Sequence, residues 1–176
     1  MSPPFLPKAD AAGVDWNTRS FDEVIDHILE RYHTALRAQL AALAGHVDEV
    51  RSSDLVRRPT LVAPLLDKLV ILGEELTQHM VKEERLAFQM IRAAGGFMGV
   101  PLAVMEHEHH FALDLIAELR ELTDGWTAPV GASAALTALY RLMDEIERDL
   151  REHAALEDGL FARARAAARH RAASGY

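Results

Sequence analysis

Apolar residues recur every three or four positions in four long runs of this chain, and no stretch alternates strictly for long, so the periodicity is helical throughout. In the first run Phe21, Ile25, Ile28, Leu29, Tyr32, Leu36, Leu40 and Leu43 share one face. Ser20 and Glu23 form a capping box at its start, and Gly45 predicts its end. Residues 45–59 are polar and charged and predict a long connection with at most a short helical turn. The second run carries Leu65, Leu69, Leu72, Leu76 and Leu86 on its inner stripe. Pro64 sits near its start, where a missing N–H costs least, and Gly95-Gly96 and Gly99 close it after about Ala94. Pro101 opens the third run, which places Leu102, Met105, Leu113, Ile116 and Leu119 on one side as far as about Thr123. Asp124-Gly125 and Pro129 to Gly131 predict a turn. The fourth run starts near Ser133, carries Leu139, Leu142, Ile146, Leu150 and Leu160, and extends past Arg165. Short second and third connections make neighbours antiparallel. The expected fold is all-α, an up-down four-helix bundle over residues 20–168. An irregular arm, residues 1–19, precedes it, with Trp16 as an anchor over the bundle end, and a frayed tail, 169–176, follows.

Polar residues interrupt these stripes at matching depths. His79 and Glu83 are one turn apart on the inner face of the second run, and His153 and Glu157 repeat the arrangement in the fourth. His33 and His109 each bring one inward imidazole from the first and third. A lone histidine on an apolar face is more often a satisfied core residue, and a lone glutamate more often lies at a helix edge. Repetition over two helix pairs changes that reading, because two buried carboxylates need partners or must stay protonated. Metal ions supply the partner. Nitrogen and oxygen ligands without sulfur suit iron or manganese, with zinc chemically possible. Six protein ligands exceed what one tetrahedral zinc takes, whereas two iron ions sharing bridging carboxylates and an oxo or hydroxo bridge use them all.

The remaining histidines fit less well. His110, one position off the stripe, is the main rival to His109. His107 flanks His109 on the other side, His27 lies away from the stripe and pairs with Glu23 or Glu30 or faces solvent, and His46 and His170 belong to solvated positions. Glu75 and Glu108 are placed to accept an imidazole N–H or to border an access path, and Glu84 reads as a solvated neighbour of Glu83. Tyr32, Met80, Phe88, Met105 and Phe161 read as apolar surround.

The net charge of −8, from 27 acidic and 19 basic residues, argues against nucleic-acid binding. The chain has no cysteine, which removes disulfides, zinc–thiolate sites and iron–sulfur ligation. No uninterrupted apolar stretch approaches the ~20 residues of a membrane span, so a soluble cytoplasmic protein is expected. The arginines after residue 160 suit a helix C-terminus.

The motifs also resemble those of the hemerythrin-like di-iron proteins, and among them the iron–sulfur cluster repair (Ric) proteins. DWNTRSFDEVIDHILERYHTALRAQL is similar to the family's first helix, with Arg31-Tyr32-His33 followed by Leu36-Arg37. EELTQHMVKEERLAFQMI resembles the second motif, VMEHEHH the third and DLREHAALEDGLF the fourth. The resemblance implies His33, His79, Glu83, His109, His153 and Glu157 as the ligands of two iron ions, with Glu75 and Glu108 bordering the route to them. It departs from the family where Ala87-Phe88-Gln89 and Leu160-Phe161-Ala162 replace the usual Leu-Phe-Pro. Helix four is also one residue shorter between Glu157 and Phe161, which would rotate the wall below the metals.

The resemblance further implies a non-haem di-iron protein that reacts with nitric oxide or dioxygen. It would repair or protect iron–sulfur clusters under nitrosative or oxidative stress, with iron–sulfur proteins and an electron donor as partners. Catalytic turnover and stoichiometric iron donation both fit the residues. So does a module that binds or senses oxygen, nitric oxide or iron without turnover, and a metal-free bundle with a buried polar network is the third possibility.

Overall fold

A computed structural model describes residues 14–93 and 99–174. Most of the expected arm and the Gly95-Gly96 helix stop lie outside the described residues. Asp15 caps a short 3-10 turn, Trp16–Thr18, by accepting from the Asn17 backbone N–H. The Ser20–Glu23 capping box is formed as expected: Ser20 Oγ accepts from the Glu23 N–H at 3.2 Å, and Glu23 Oε2 accepts from the Ser20 N–H at 2.9 Å.

Four helical rods follow. The first consists of an α-helix Phe21–His27, a π-helical stretch Ile28–His33 and an α-helix Thr34–Ser53. The second has the same construction, with Pro59–Lys82, a π stretch Glu83–Ala87 and Phe88–Arg92. The third rod is Gly99–Leu122 and the fourth is Ala134–Ala173. Each rod packs on its neighbours in sequence and the first closes on the fourth. Cross-rod pairs show that neighbours run antiparallel. Arg37 and Arg92 of the first and second rods meet Glu84 and Asp26. Lys68 and Lys82 of the second meet Glu118 and Glu108 of the third. Among the described residues, no helix is long and apolar enough to cross a membrane.

Four boundaries differ from the sequence expectation, the first being that the third rod starts at Gly99 rather than at Pro101. Gly45 does not end the first rod: it is exposed, a Cβ there would meet nothing within 4 Å, and Val47 and Val50 continue the buried stripe from Leu43. Helix propagation past one solvent-facing glycine costs only about 1 kcal/mol, which two buried valines offset. The second rod starts at Pro59, so Pro64 lies inside it. The fourth rod stays helical to Ala173, past the expected boundary at 168.

The core divides into two clusters along the bundle axis. One, from Leu36 to Met80 on the first two rods and Ala112 to Leu150 on the others, fills the end bearing the first and third connections. The other, built on Ile25, Ile28, Phe88, Ile91, Leu102, Leu160 and Phe161, fills the opposite end, and Trp16 packs against it. Between them lies a polar layer.

The connections at the first end are tied together. Asp54 is fully buried and accepts from Ser53 Oγ at 2.7 Å, Arg58 Nη1 at 3.1 Å and the Ser133 backbone N–H at 3.3 Å. Burial alone would raise its pKa, but Ser133, Ser53 and Arg58 together hold it below the ordinary aspartate value. The same arginine donates to the Val130 carbonyl at 2.8 Å. The Thr123 to Gly131 turn holds two non-glycine residues at positive φ, Asp124 at 51° and Trp126 at 63°. Trp126 is retained there by its buried ring, whose Nε1–H donates to Glu147 Oε2 at 2.9 Å.

Candidate metal centre

The polar layer contains His33, His79, Glu83, His109, His153 and Glu157, each at most 4% exposed. All six residues singled out from the sequence therefore converge in one place. Their donor atoms form two quartets, His79, Glu83, His109 and Glu157 in one and His33, Glu83, His153 and Glu157 in the other, with the atoms of each quartet within 4.8 Å of one another.

The two carboxylates join the quartets by dividing their oxygens. Glu83 Oε1 lies 3.3 Å from His79 Nε2 and 3.8 Å from His109 Nε2, while Glu83 Oε2 lies 3.3 Å from His33 Nε2. Glu157 does the reverse. Its Oε2 is 3.1 Å from His109 Nε2, and its Oε1 is 3.5 Å from His33 Nε2 and 2.7 Å from His153 Nε2. Each quartet thus has two imidazole nitrogens and one oxygen from each glutamate.

The orientation of the rings is set by carboxylates on neighbouring rods. His33 Nδ1–H donates to Glu84 Oε1 at 2.7 Å, His79 Nδ1–H to Glu108 Oε2 at 2.9 Å, and His109 Nδ1–H to Asp158 Oδ1 at 2.9 Å. Each bond fixes the tautomer that leaves Nε2 facing inward. Arg37 and Lys82 in turn hold Glu84 and Glu108. Glu84 is therefore not a solvated bystander, and Asp158 is a participant that the inward stripe did not reveal. Both follow an inner glutamate directly in sequence, so a helix turns them about 100° aside, toward the adjacent rod. Glu108 behaves as expected, though it accepts from His79 on the neighbouring rod.

Burial opposes the charged form of His33, yet the Glu157 and Glu83 carboxylates beside it push it up to about 10. His79 and His109 are raised against the same burial, by Glu83 and by Asp158, Glu157 and Glu83 respectively. Burial and the like charge of Glu157 would raise Glu83, but His79, His109 and His33 hold it at about 2. Glu157 is likewise held well below the carboxylate range, by His153, His109 and His33.

Aromatic rings close the layer. Phe88 lies 5.8 Å from the His33 ring and Phe161 stacks at 6.2 Å over His109. Tyr32 stacks on His153 at 5.3 Å with the planes 4° apart. Leu86, expected on the inner stripe, is instead half exposed, because the π stretch Glu83–Ala87 adds a residue and presents Ala87 and Phe88 inward. A small, largely enclosed cavity reaches His79 and His109 between Glu75, Glu108 and Leu150.

The other histidines stand outside. His110 is exposed, with Nδ1 on the Glu106 carbonyl at 2.6 Å. His27 stacks on Trp16 at 4.0 Å, and His46 lies 3.4 Å from Glu49.

Residues 24–164 match the Hemerythrin HHE cation binding domain. The chain belongs to the hemerythrin family. Within that family it groups with the iron–sulfur cluster repair (Ric) proteins. It is 41% identical over 150 residues to the iron-sulfur cluster repair protein DnrN of Neisseria gonorrhoeae, covering 84% of this chain and 94% of that protein. It is 40% identical over 157 residues to the iron-sulfur cluster repair protein YtfE of Dickeya chrysanthemi, covering 85% of this chain and 68% of that protein. YtfE of Escherichia coli strain SMS-3-5 is 38% identical over 155 residues, covering 85% and 69%. The hemerythrin description agrees with the donor set in its plainest feature: buried histidine and glutamate atoms suited to a cation.

His33 Nε2, His79 Nε2, His109 Nε2, both oxygens of Glu83 and Glu157 Oε2 are buried without a hydrogen-bond partner. Leaving so many polar atoms unsatisfied in a core is unfavourable by about 1–3 kcal/mol for each. A shared cation at each quartet would satisfy them all, and the nitrogen and oxygen donors suit iron or manganese.

Proposed function

We propose that this hemerythrin-family protein holds two iron ions, one in each quartet, and reacts with nitric oxide or dioxygen in support of iron–sulfur cluster repair or protection. The observation that carries the reading is the division of Glu83 and Glu157, one oxygen to each quartet, which is how a carboxylate bridges two cations. His79 and His109 would hold one ion and His33 and His153 the other. A bound iron pair supplies redox electrons and an open position for a diatomic ligand.

The chain's own residues have three tasks in this reading. Glu84, Glu108 and Asp158 keep three imidazoles aimed inward, so the site needs little reorganisation. Phe88 and Phe161 exclude water from the flanks. The cavity beside Glu75 and Glu108, about large enough for one water, marks the side from which a small molecule would approach His79 and His109. The whole site belongs to the bundle, residues 20–168. Relatives named iron-sulfur cluster repair proteins support the physiological task, with damaged iron–sulfur proteins as clients and an electron donor as a further partner.

Anaerobic iron quantitation with Mössbauer spectroscopy, before and after nitric oxide, tests the proposal. Two irons per chain whose spectrum changes on exposure support it. No iron after expression with iron supplementation overturns it in favour of a metal-free polar network. Reversible oxygenation without turnover would assign the protein to carriage or sensing.

A further inference from the structure

We infer that the two quartets are not equivalent, and that the His33–His153 position is the one that exchanges its cation. The inference rests on the two-iron reading and adds an order to it. Two observations carry it.

The first is the rough two-fold that relates the first rod to the third and the second to the fourth. His33 corresponds to His109, His79 to His153, Glu83 to Glu157 and Glu84 to Asp158. Glu84 and Asp158 play the same part, each accepting from the histidine of its partner rod. The correspondence breaks at one place. Glu108, immediately before His109, accepts from His79 Nδ1, but the residue immediately before His33 is Tyr32. Its ring lies flat on His153, and among the described residues no carboxylate meets the His153 Nδ1. Both imidazoles of the His79–His109 position are therefore anchored by carboxylates, and only one of the other pair is. A carboxylate on the far nitrogen fixes the ring and makes it a stronger ligand. Losing one lowers metal affinity by about 10–100-fold.

The second observation concerns the donor atoms themselves. His79 Nε2, His109 Nε2, Glu83 Oε1 and Glu157 Oε2, which face the His79–His109 position, all lack a hydrogen-bond partner. On the other side only His33 Nε2 and Glu83 Oε2 do, because His153 Nε2 and Glu157 Oε1 hydrogen-bond each other at 2.7 Å. A cation leaving the His79–His109 position abandons four unsatisfied buried atoms. One leaving the His33–His153 position abandons two, and the other two pair at once. Both effects favour release from the same side.

The test uses the full chain loaded anaerobically with ferrous iron and challenged with ferrozine. Iron should leave in two phases of about one ion per chain, separated by about 10-fold or more in rate. Crystals taken between the phases, measured at the iron absorption edge, should show density retained at His79–His109 and lost at His33–His153. Glu108→Gln should quicken the slow phase and narrow the gap, whereas Glu84→Gln should quicken the fast phase and widen it; a merely structural role would move both phases together. Two ions leaving in one phase with equal residual occupancy, or His79–His109 emptying first, would overturn the order while leaving the two-iron reading intact. Failure to take up two ions would remove that reading and the order with it.

Discussion

Phe88 lies one residue further from Glu83 than Phe161 lies from Glu157, yet the two rings occupy corresponding places, against His33 and His109. The π stretch Glu83–Ala87 absorbs the difference, whereas the fourth rod is α-helical throughout. The shorter spacing in the fourth rod therefore does not remove its aromatic wall.

A deletion tests this. Removing half-exposed Leu86 should let Glu83–Phe88 close into an ordinary α-helix, with Phe88 still on His33. Removing Gln78, outside the π stretch, should instead turn His79 off the inner stripe. Iron content after anaerobic loading should stay near wild type in the first variant and collapse in the second. Equal loss in both would show that the π stretch is not a register correction.

Glu83→Ala and His110→Ala should separate ligands from bystanders. Glu83 contributes an oxygen to each quartet, so its loss should lower iron content at both positions. His110 is exposed and bonded to the Glu106 carbonyl, so its loss should leave iron binding unchanged. Iron loss in His110→Ala with none in His109→Ala would place the third rod in the wrong register.

Leu69 and Phe161 should fail differently. Leu69 is 1% exposed in the cluster remote from the polar layer, and Leu69→Ala should cost about 2–5 kcal/mol while iron still binds. Phe161→Ala removes the ring over His109 as well as core volume, so denaturant midpoints and iron retention should fall together. Denaturation of the apo and iron-loaded forms would read both.

Glu147 should make stability fall in acid. Burial opposes its charge, but Trp126, Arg151 and Arg120 hold its pKa below the ordinary glutamate value. A lowered folded pKa means that the contribution is complete above the unfolded value, about 4.3, and is lost as pH falls through the folded value. Glu147→Gln should therefore lose about 1–3 kcal/mol near neutrality, and its unfolding midpoint should fall less steeply than wild type below that pH. Parallel curves would show that the ion pairs contribute nothing.

The rods and the six inner polar residues were legible because both follow one helical stripe, and His33, His79, Glu83, His109, His153 and Glu157 stand in that stripe among leucines. What escaped lies off the stripe or shifts it. Leu86 was misplaced because a π stretch leaves no mark on apolar spacing. Glu84 and Asp158 face sideways, and a sideways carboxylate next to a buried one looks the same as a solvated residue until the adjacent rod is in place. Gly45 misled for the opposite reason: its local preference for a stop was overridden by Val47 and Val50, whose burial belongs to tertiary packing. Trp126 at positive φ has no signature in sequence at all.

The Asp54 carboxylate, gripping Ser53, Arg58 and Ser133 at once, makes the first and third connections a single clasp. Rods pinned at one end can part only by splaying at the other, as the legs of a compass do. The end filled by Phe88, Ile91 and Phe161 is therefore the one left free to loosen, and cutting the Asp54 clasp would release the other as well.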